Sequence, residues 1–231
     1  MTNRIAKASA SFGRLKKNVW DRRGLTLGTK LKVYNAVVIS TLLYGCGTWT
    51  IYRRHARQLN HFHMTCLRKL LHIKWQDRVP NTEVLEQSGT MSVHTMLLKA
   101  QARWAGHVVR MPDQRLPKQI LYWELWYGKR SVGGQKKRYK DSLKSTLKEL
   151  SINTDTWENK AQDRTTWRKT IHVGLLTAEE NRIMKAKEAR VQRKAAESSL
   201  ANALPCPHCG RLCKSKAGLR SHLRSHKLSL V

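Results

Sequence analysis

The sequence predicts a mainly α chain: a helical region, then a long helical spacer, then a small ββα module. Three observations predict it. Apolar residues recur at steps of three and four through most of the chain up to Val173. Residues 177–200 are helix-forming in composition but carry little apolar stripe. Strand signal is confined to the C-terminus, where three cysteines and three histidines crowd one short segment. With 231 residues and 40% hydrophobic content there is enough apolar material for a core, which excludes a fully disordered chain.

Taken in order, residues 4–20 form a basic amphipathic helix with Ile5, Ala8, Phe12, Leu15 and Val19 on one face. Asp21 to Gly24 breaks it. Thr26 is placed to cap a second helix running to about Tyr44, with the stripe Leu31, Tyr34, Val38 and Leu42 and an end at Gly45. His55 to Lys74 is a third, turning Leu59, Phe62, Cys66, Leu70 and Ile73 inward. His61 and His63 stand at i and i+2, point apart, and cannot share an ion on a helix. Pro80-Asn81-Thr82 reads as a turn before a short helix through Gln87. Ser92 to Met111 is helical and is stopped by Pro112-Asp113, and Pro117 to Tyr127 forms a short helix. Asp141 to Leu150 and Thr154 to Val173 return to helical spacing, the latter with Trp157, Ala161, Arg164, Trp167 and Ile171 in register. Thr177-Ala178-Glu179-Glu180 resembles a capping box opening the polar spacer.

Charge narrows the function classes. Lys and Arg number 45 against 15 Asp and Glu, a formal net charge of +30. Such a surface attracts polyanions and repels basic partners. From Arg22 to Gln76 there is no acid at all. Chemistry that needs clustered carboxylates has little to draw on, and no paired aspartates suggest nucleotidyl transfer. Residues 1–20 lack acids as transit peptides do, but the same composition continues into the next segment. Val33 to Tyr52 is an uncharged run of twenty residues, long enough to span a bilayer. Its Asn, Ser, Thr and Gly content and its helical stripe favour a buried helix instead, so no membrane partner is expected. Five cysteines without a disulfide framework suit a reducing compartment, nucleus or cytoplasm.

The sharpest motif is CPHCGRLCKSKAGLRSHLRSH, residues 206–226. Cys206-x₂-Cys209 is followed by twelve residues and then His222-x₃-His226. Two thiolates on a tight turn and two imidazoles one helical turn apart can meet tetrahedrally around zinc, which is the expected cofactor. Leu219 occupies the position of a finger's core leucine. Cys213 stands where a finger usually carries an aromatic, and could pack as a small hydrophobe or offer a competing thiolate. The base-facing positions would be Ser215, Gly218 and Ser221, which lack the bidentate side chains of sequence readout. Arg211, Lys214, Lys216, Arg220 and Arg224 favour phosphate contact instead.

A second basic cluster holds Lys129, Arg130, Lys136, Lys137, Arg138 and Lys140 around Gly133-Gly134, with Tyr127 and Tyr139 nearby. It fits contact with a nucleic-acid backbone, or a solvated charged loop. The spacing is not that of a phosphate loop.

Several strings also resemble one family. AKASASFGRLKKNVW and TKLKVYNAVVISTLLYGCGTW look like the thumb-side helices of non-LTR retrotransposon (LINE-type) reverse transcriptases. HFHMTCLRKLLHIKWQDRVPNTEVL resembles the next helix of those proteins. RWAGHVVRMPDQRLPKQ, GKRSVGGQKKRYKD and WENKAQDRTTWRKTIH are similar to their C-terminal region, and the closing motif to their terminal finger. The resemblance implies four segments: a thumb-like helical segment 1–79, a basic helical region 80–176, a helical linker 177–203 and a Cys₂His₂ zinc finger 204–228. The family's endonuclease and catalytic palm would lie before residue 1, so no catalytic residue carries over and a truncated, non-catalytic product is expected.

The expected function is therefore phosphate-driven binding of RNA or DNA by a zinc-binding retroelement fragment. A domesticated zinc-finger regulator, a residual reverse-transcriptase accessory activity and an inert product stand as alternatives.

Overall fold

Helix α1 (Thr2–Arg14) forms where the first stripe predicts it and tightens into a π-helical turn over Lys16–Trp20. The computed structural model describes residues 1–122, 136–198, 204–213 and 215–227. The π turn brings Trp20 back over Phe12: the rings stack at 5.0 Å, and the indole N–H donates to the Phe12 carbonyl at 2.7 Å. Helix α2 (Leu27–Val33) starts at Thr26, whose hydroxyl accepts from the Thr29 N–H at 3.3 Å. It passes through a π-helical stretch, Tyr34–Ile39, into α3 (Ser40–Leu42). Gly45 then takes a left-handed conformation, φ 71°, which stops the helix before a 3₁₀ turn at Cys46–Thr48. The uncharged run 33–52 thus bends midway, and no helix among the described residues is long and apolar enough to cross a membrane.

Helices α4 (Arg53–Leu70), α5 (Asn81–Ser88), α6 (Val93–Val109) and α7 (Leu116–Tyr122) follow. Next come α8 (Tyr139–Glu149), α9 (Trp157–Gln162) and α10 (Arg164–Ser198). Two apolar cores result. One gathers Ala8, Tyr34, Val38, Leu42, Leu59 and Leu67 with the N-terminal half of α6. The other gathers the C-terminal half of α6 with Leu143, Leu147, Trp157, Trp167 and Ile171. Helix α6 serves both cores and buries residues along its whole length.

Two glycines make this possible. A Cβ on Gly47 would sit 2.8 Å from Trp104 Cβ, and one on Gly106 would sit 2.1 Å from Trp167 Nε1. The Trp167 ring therefore lies directly on the α6 backbone, and its N–H donates to the Ala102 carbonyl at 3.0 Å.

Two expectations are corrected. Residues 154–173 do not form one helix. Asp163 adopts an extended conformation (ψ 115°), ends α9 and caps α10, accepting from the Thr165 and Thr166 N–H groups at 2.9 and 3.0 Å. Arg164 consequently leaves the apolar stripe in which the spacing placed it, and is exposed. Thr177 does not open a helix either: α10 runs through it, and the Thr177 hydroxyl bonds back to the Val173 carbonyl. Glu179, on the same stretch of α10, accepts hydrogen bonds from the Ser92 and Thr95 hydroxyls.

The chain divides into two compact units, Met1–Asn181 and Arg182–Val231. The second contains the end of α10, a two-stranded antiparallel ribbon and a helix. Strand β1 (Leu204–Pro205) pairs with β2 (Leu212–Cys213), Leu204 opposite Cys213, and α11 (Lys216–Lys227) follows.

Candidate metal centre and basic surfaces

The turn between β1 and β2 is built to present sulfur. The Gly210 N–H donates to the Cys206 carbonyl at 2.9 Å, and the Cys206 N–H donates to the Arg211 carbonyl at 2.8 Å. Gly210 stands at φ 69°, the left-handed region open to glycine. Helix α11 supplies the nitrogens. Ser215 caps it by accepting from the Gly218 N–H at 3.1 Å, and one turn separates His222 from His226.

These elements bring four donor atoms to within 4.8 Å of one another: one each from Cys206, Cys209, His222 and His226. Cys209 Sγ lies 3.1 Å from His222 Nε2, Cys206 Sγ lies 3.5 Å from His226 Nε2, and the two Nε2 atoms are 3.1 Å apart. A tetrahedral zinc with Zn–S of about 2.3 Å and Zn–N of about 2.0–2.1 Å has donor–donor edges of about 3.3–3.8 Å. The donor set and its spacing therefore fit zinc.

The local electrostatics agree with ligation. Burial opposes ionisation of Cys206, but N–H groups of His208 and Cys209 directed at its sulfur outweigh it and hold the thiol below its ordinary range. Burial, the neighbouring His226 and the Arg211 charge all favour the neutral form of His222. Thiolate and neutral imidazole are the states a metal needs.

Cys213 is not among the four donors. It is buried on β2 with its thiol 3.9 Å from the Arg211 carbonyl, packing as a small hydrophobe. His208 is exposed, its ring 5.4 Å from that of His226. Ser215, one of the three positions expected to face bases, spends its hydroxyl on the helix cap.

The expected phosphate contacts divide. Lys216, Arg220 and Arg224 are exposed and recur every four residues, so they share one face of α11; His222 and His226 lie on the other side. Arg211 is exposed on the turn. Lys136 and Lys137 are exposed, and the Lys137 ammonium sits 5.9 Å from the centre of the Tyr52 ring. Lys140 is half-buried in the first turn of α8. Arg138 is already engaged: its guanidinium donates twice to the Asp141 carboxylate at 3.1 Å. Lys129, Arg130 and Lys214 lie outside the described residues.

One concentration of charge falls outside the motifs. Lys99, Arg103 and His107 recur every four residues on α6, and Arg164, Arg168 and His172 do so on α10. The shared spacing was visible in the sequence; the pairing of the two rows was not.

Comparison with known proteins adds one relationship. Over 145 residues the chain is 24% identical to an uncharacterized transposon-derived protein of Caenorhabditis elegans, covering 60% of this chain and 52% of that protein. The chain thus spans about half the length of the curated relative it matches. No protein-family model matches the chain, and no solved structure matches it.

Proposed function

We propose that this chain is a zinc-binding, non-catalytic nucleic-acid-binding protein derived from a retrotransposon. The convergence of Cys206, Cys209, His222 and His226 carries the reading. Zinc held by these four side chains would lock the β1–β2 turn onto α11 and present Lys216, Arg220 and Arg224 on the opposite face. A net charge of +30 gives the phosphate-driven attraction, and short side chains at Gly218 and Ser221 leave sequence readout little to work with. Similarity to a transposon-derived protein supports a transposon origin. The likeness of the helical strings to LINE-type reverse transcriptases points to the thumb and C-terminal region as the ancestral part.

Salt titration of binding tests this. The zinc-loaded full chain should bind labelled RNA or DNA oligonucleotides without sequence preference. The logarithm of its affinity should fall steeply and linearly with the logarithm of salt concentration. Retained affinity with a shallow slope would refute phosphate-driven binding. Template-directed extension of a primer in Mg²⁺ would refute the non-catalytic assignment.

A further inference from the structure

Helices α6 and α10 run antiparallel past one another, Ser92 and Thr95 meeting Glu179 and Ala102 meeting Trp167, and Lys99, Arg103 and Arg110 line the same hollows as Arg164, Arg168 and His172. The two rows line a pair of adjoining hollows of about 280 and 170 Å³ that share Arg103 and Arg168. Trp167 forms part of the floor. Its seat on Gly106 is what allows the two helices to approach closely enough for the rows to face each other.

Like charges do not gather without cause. Arg103, Arg164 and Arg168 are exposed, and no ion pair neutralises them among the described residues. The nearest acid, Asp163, is occupied as the cap of α10. Arg110 lies deeper. One guanidinium N–H donates to the Ala161 carbonyl, while Nε is buried and has no hydrogen-bond partner among the described residues. Burial first, then the Arg164 and Arg168 charges, destabilise its cation, and only Asp163 offsets them. A furrow that sets two rows of basic side chains against each other, with an unpartnered donor inside, is complementary to a multivalent anion.

We propose that the α6–α10 furrow binds the phosphodiester backbone of a nucleic-acid strand, with Arg103 and Arg168 as the central phosphate clamp. The spacing fits. Residues four apart on a helix are separated by about 6 Å along its axis, which is the scale of one nucleotide step along a strand. Each row therefore offers a cation to successive phosphates. Arginine is suited to this because its planar fork meets phosphate oxygens in pairs. The furrow lies wholly in the helical unit, so it engages phosphate independently of the Cys/His centre. This inference rests on the nucleic-acid reading above and adds a contact surface to it.

The test uses the zinc-loaded full chain and three fluorescein-labelled 30-mers: single-stranded RNA, single-stranded DNA and duplex DNA. Affinity is followed by anisotropy across a salt series. Arg103→Ala/Arg168→Ala should weaken binding at least tenfold and reduce the salt slope by about 1.4 for single strands or about 1.8 for duplex DNA. Zinc content and melting temperature should not change, because both side chains are exposed. The ratio of the three affinities says which strand type the furrow accepts.

A second measurement needs no variant. In the native chain, oligonucleotide should protect Arg103 and Arg168 from phenylglyoxal, read by mass spectrometry. The two kinds of failure are distinct. Failure of the native chain to bind any of the three oligonucleotides removes the nucleic-acid reading and this inference with it. Native binding with an unchanged slope in the double variant and no protection of Arg103 or Arg168 overturns the furrow alone. So would loss, in the double variant, of binding to phosphatidylserine vesicles with oligonucleotide affinity intact, which would assign the furrow to a lipid surface.

Discussion

Residues 1–181 bury Tyr34, Leu59, Leu147 and Trp167 to 2% exposure or less, whereas among the described residues between 204 and 227 the buried hydrophobics are Cys206 and Cys213. One of those two, Cys206, belongs to the candidate metal centre. The helical unit has two apolar cores spanned by α6, enough to fold by burial. The Cys/His unit has a two-residue strand pair and one helix of 12 residues, too little apolar surface to offset the entropy of ordering it. On the proposed reading its fold comes from ligation. The difference teaches where each part of the chain is vulnerable: one unit to cavities and clashes, the other to anything that competes for four donor atoms.

The largest effect tests the second half of that contrast. Structural zinc sites of this donor type contribute apparent binding energies of about 10–16 kcal/mol near pH 7. Cys206→Ser, His222→Ala or a strong chelator should abolish stoichiometric zinc and amide protection across 204–227. The thermal transition of the helical unit should remain. A Cys/His unit that keeps its exchange protection without zinc would break the comparison.

The converse substitution sits in the helical unit. Trp167→Ala removes the ring lying on Gly106 and tilted against Trp157 at 6.0 Å, and loss of a buried tryptophan costs about 3–5 kcal/mol. Gly106→Ala forces a methyl into the indole and should cost at least the ~1–3 kcal/mol of an overpacked site. Both should lower the melting midpoint and leave one bound zinc per chain. Loss of zinc in either variant would mean that the two units do not fold separately.

A third effect uses pH. His63 is fully buried, its Nδ1 2.8 Å from the Tyr34 hydroxyl. Burial pushes its pKa from the usual 6.5 down to about 4, only partly opposed by the Met91 backbone. The folded state therefore binds fewer protons than the unfolded chain between these values. The stability from a neutral His63 is complete above pH 6.5 and is lost as pH falls toward 4, about 3 kcal/mol in all. Denaturant midpoints of the helical unit should show this slope, and His63→Phe should flatten it. An unchanged slope in that variant would assign the acid sensitivity elsewhere.

How much of this was legible beforehand differs between the same two units. The Cys/His motif announced its donors because ligation needs fixed residue types at fixed spacing, and the structure brings together those four residues. The helices were legible from apolar periodicity, down to the inward positions Ala8, Tyr34, Val38, Leu59, Cys66 and Leu70. Periodicity alone could not see the break at Asp163, because a capping aspartate in a charged stretch does not interrupt the apolar count. It also missed that Thr177 lies mid-helix, since a Thr-x-x-Glu string fits an unbroken helix equally well when the threonine hydroxyl bonds back to the carbonyl four residues earlier, as Thr177 does to Val173. The furrow was invisible for a related reason. Two basic rows look like solvated helix faces until the fold sets them side by side, and only tertiary packing on Gly106 and Trp167 does that.

The smallest effect sharpens the comparison most, because the same substitution is made in both units. Ser92 caps α6 by accepting from the Thr95 N–H at 3.2 Å, and Ser215 caps α11 by accepting from the Gly218 N–H at 3.1 Å. Replacing such a cap by alanine costs about 0.5–2 kcal/mol. In the helical unit the whole cost falls on the folding equilibrium, so Ser92→Ala should lower the melting midpoint and leave zinc affinity untouched. Its loss of the Glu179 contact places it at the upper end of that range. If folding and ligation are one equilibrium in the Cys/His unit, as the proposed zinc site requires, the cost of Ser215→Ala should appear as weaker zinc binding. A cost near 1.4 kcal/mol is a tenfold change in affinity, measurable by competition with a chromophoric chelator. If Ser215→Ala instead shifted the thermal transition of the helices and left zinc affinity alone, the cap would be serving a fold that does not depend on the metal.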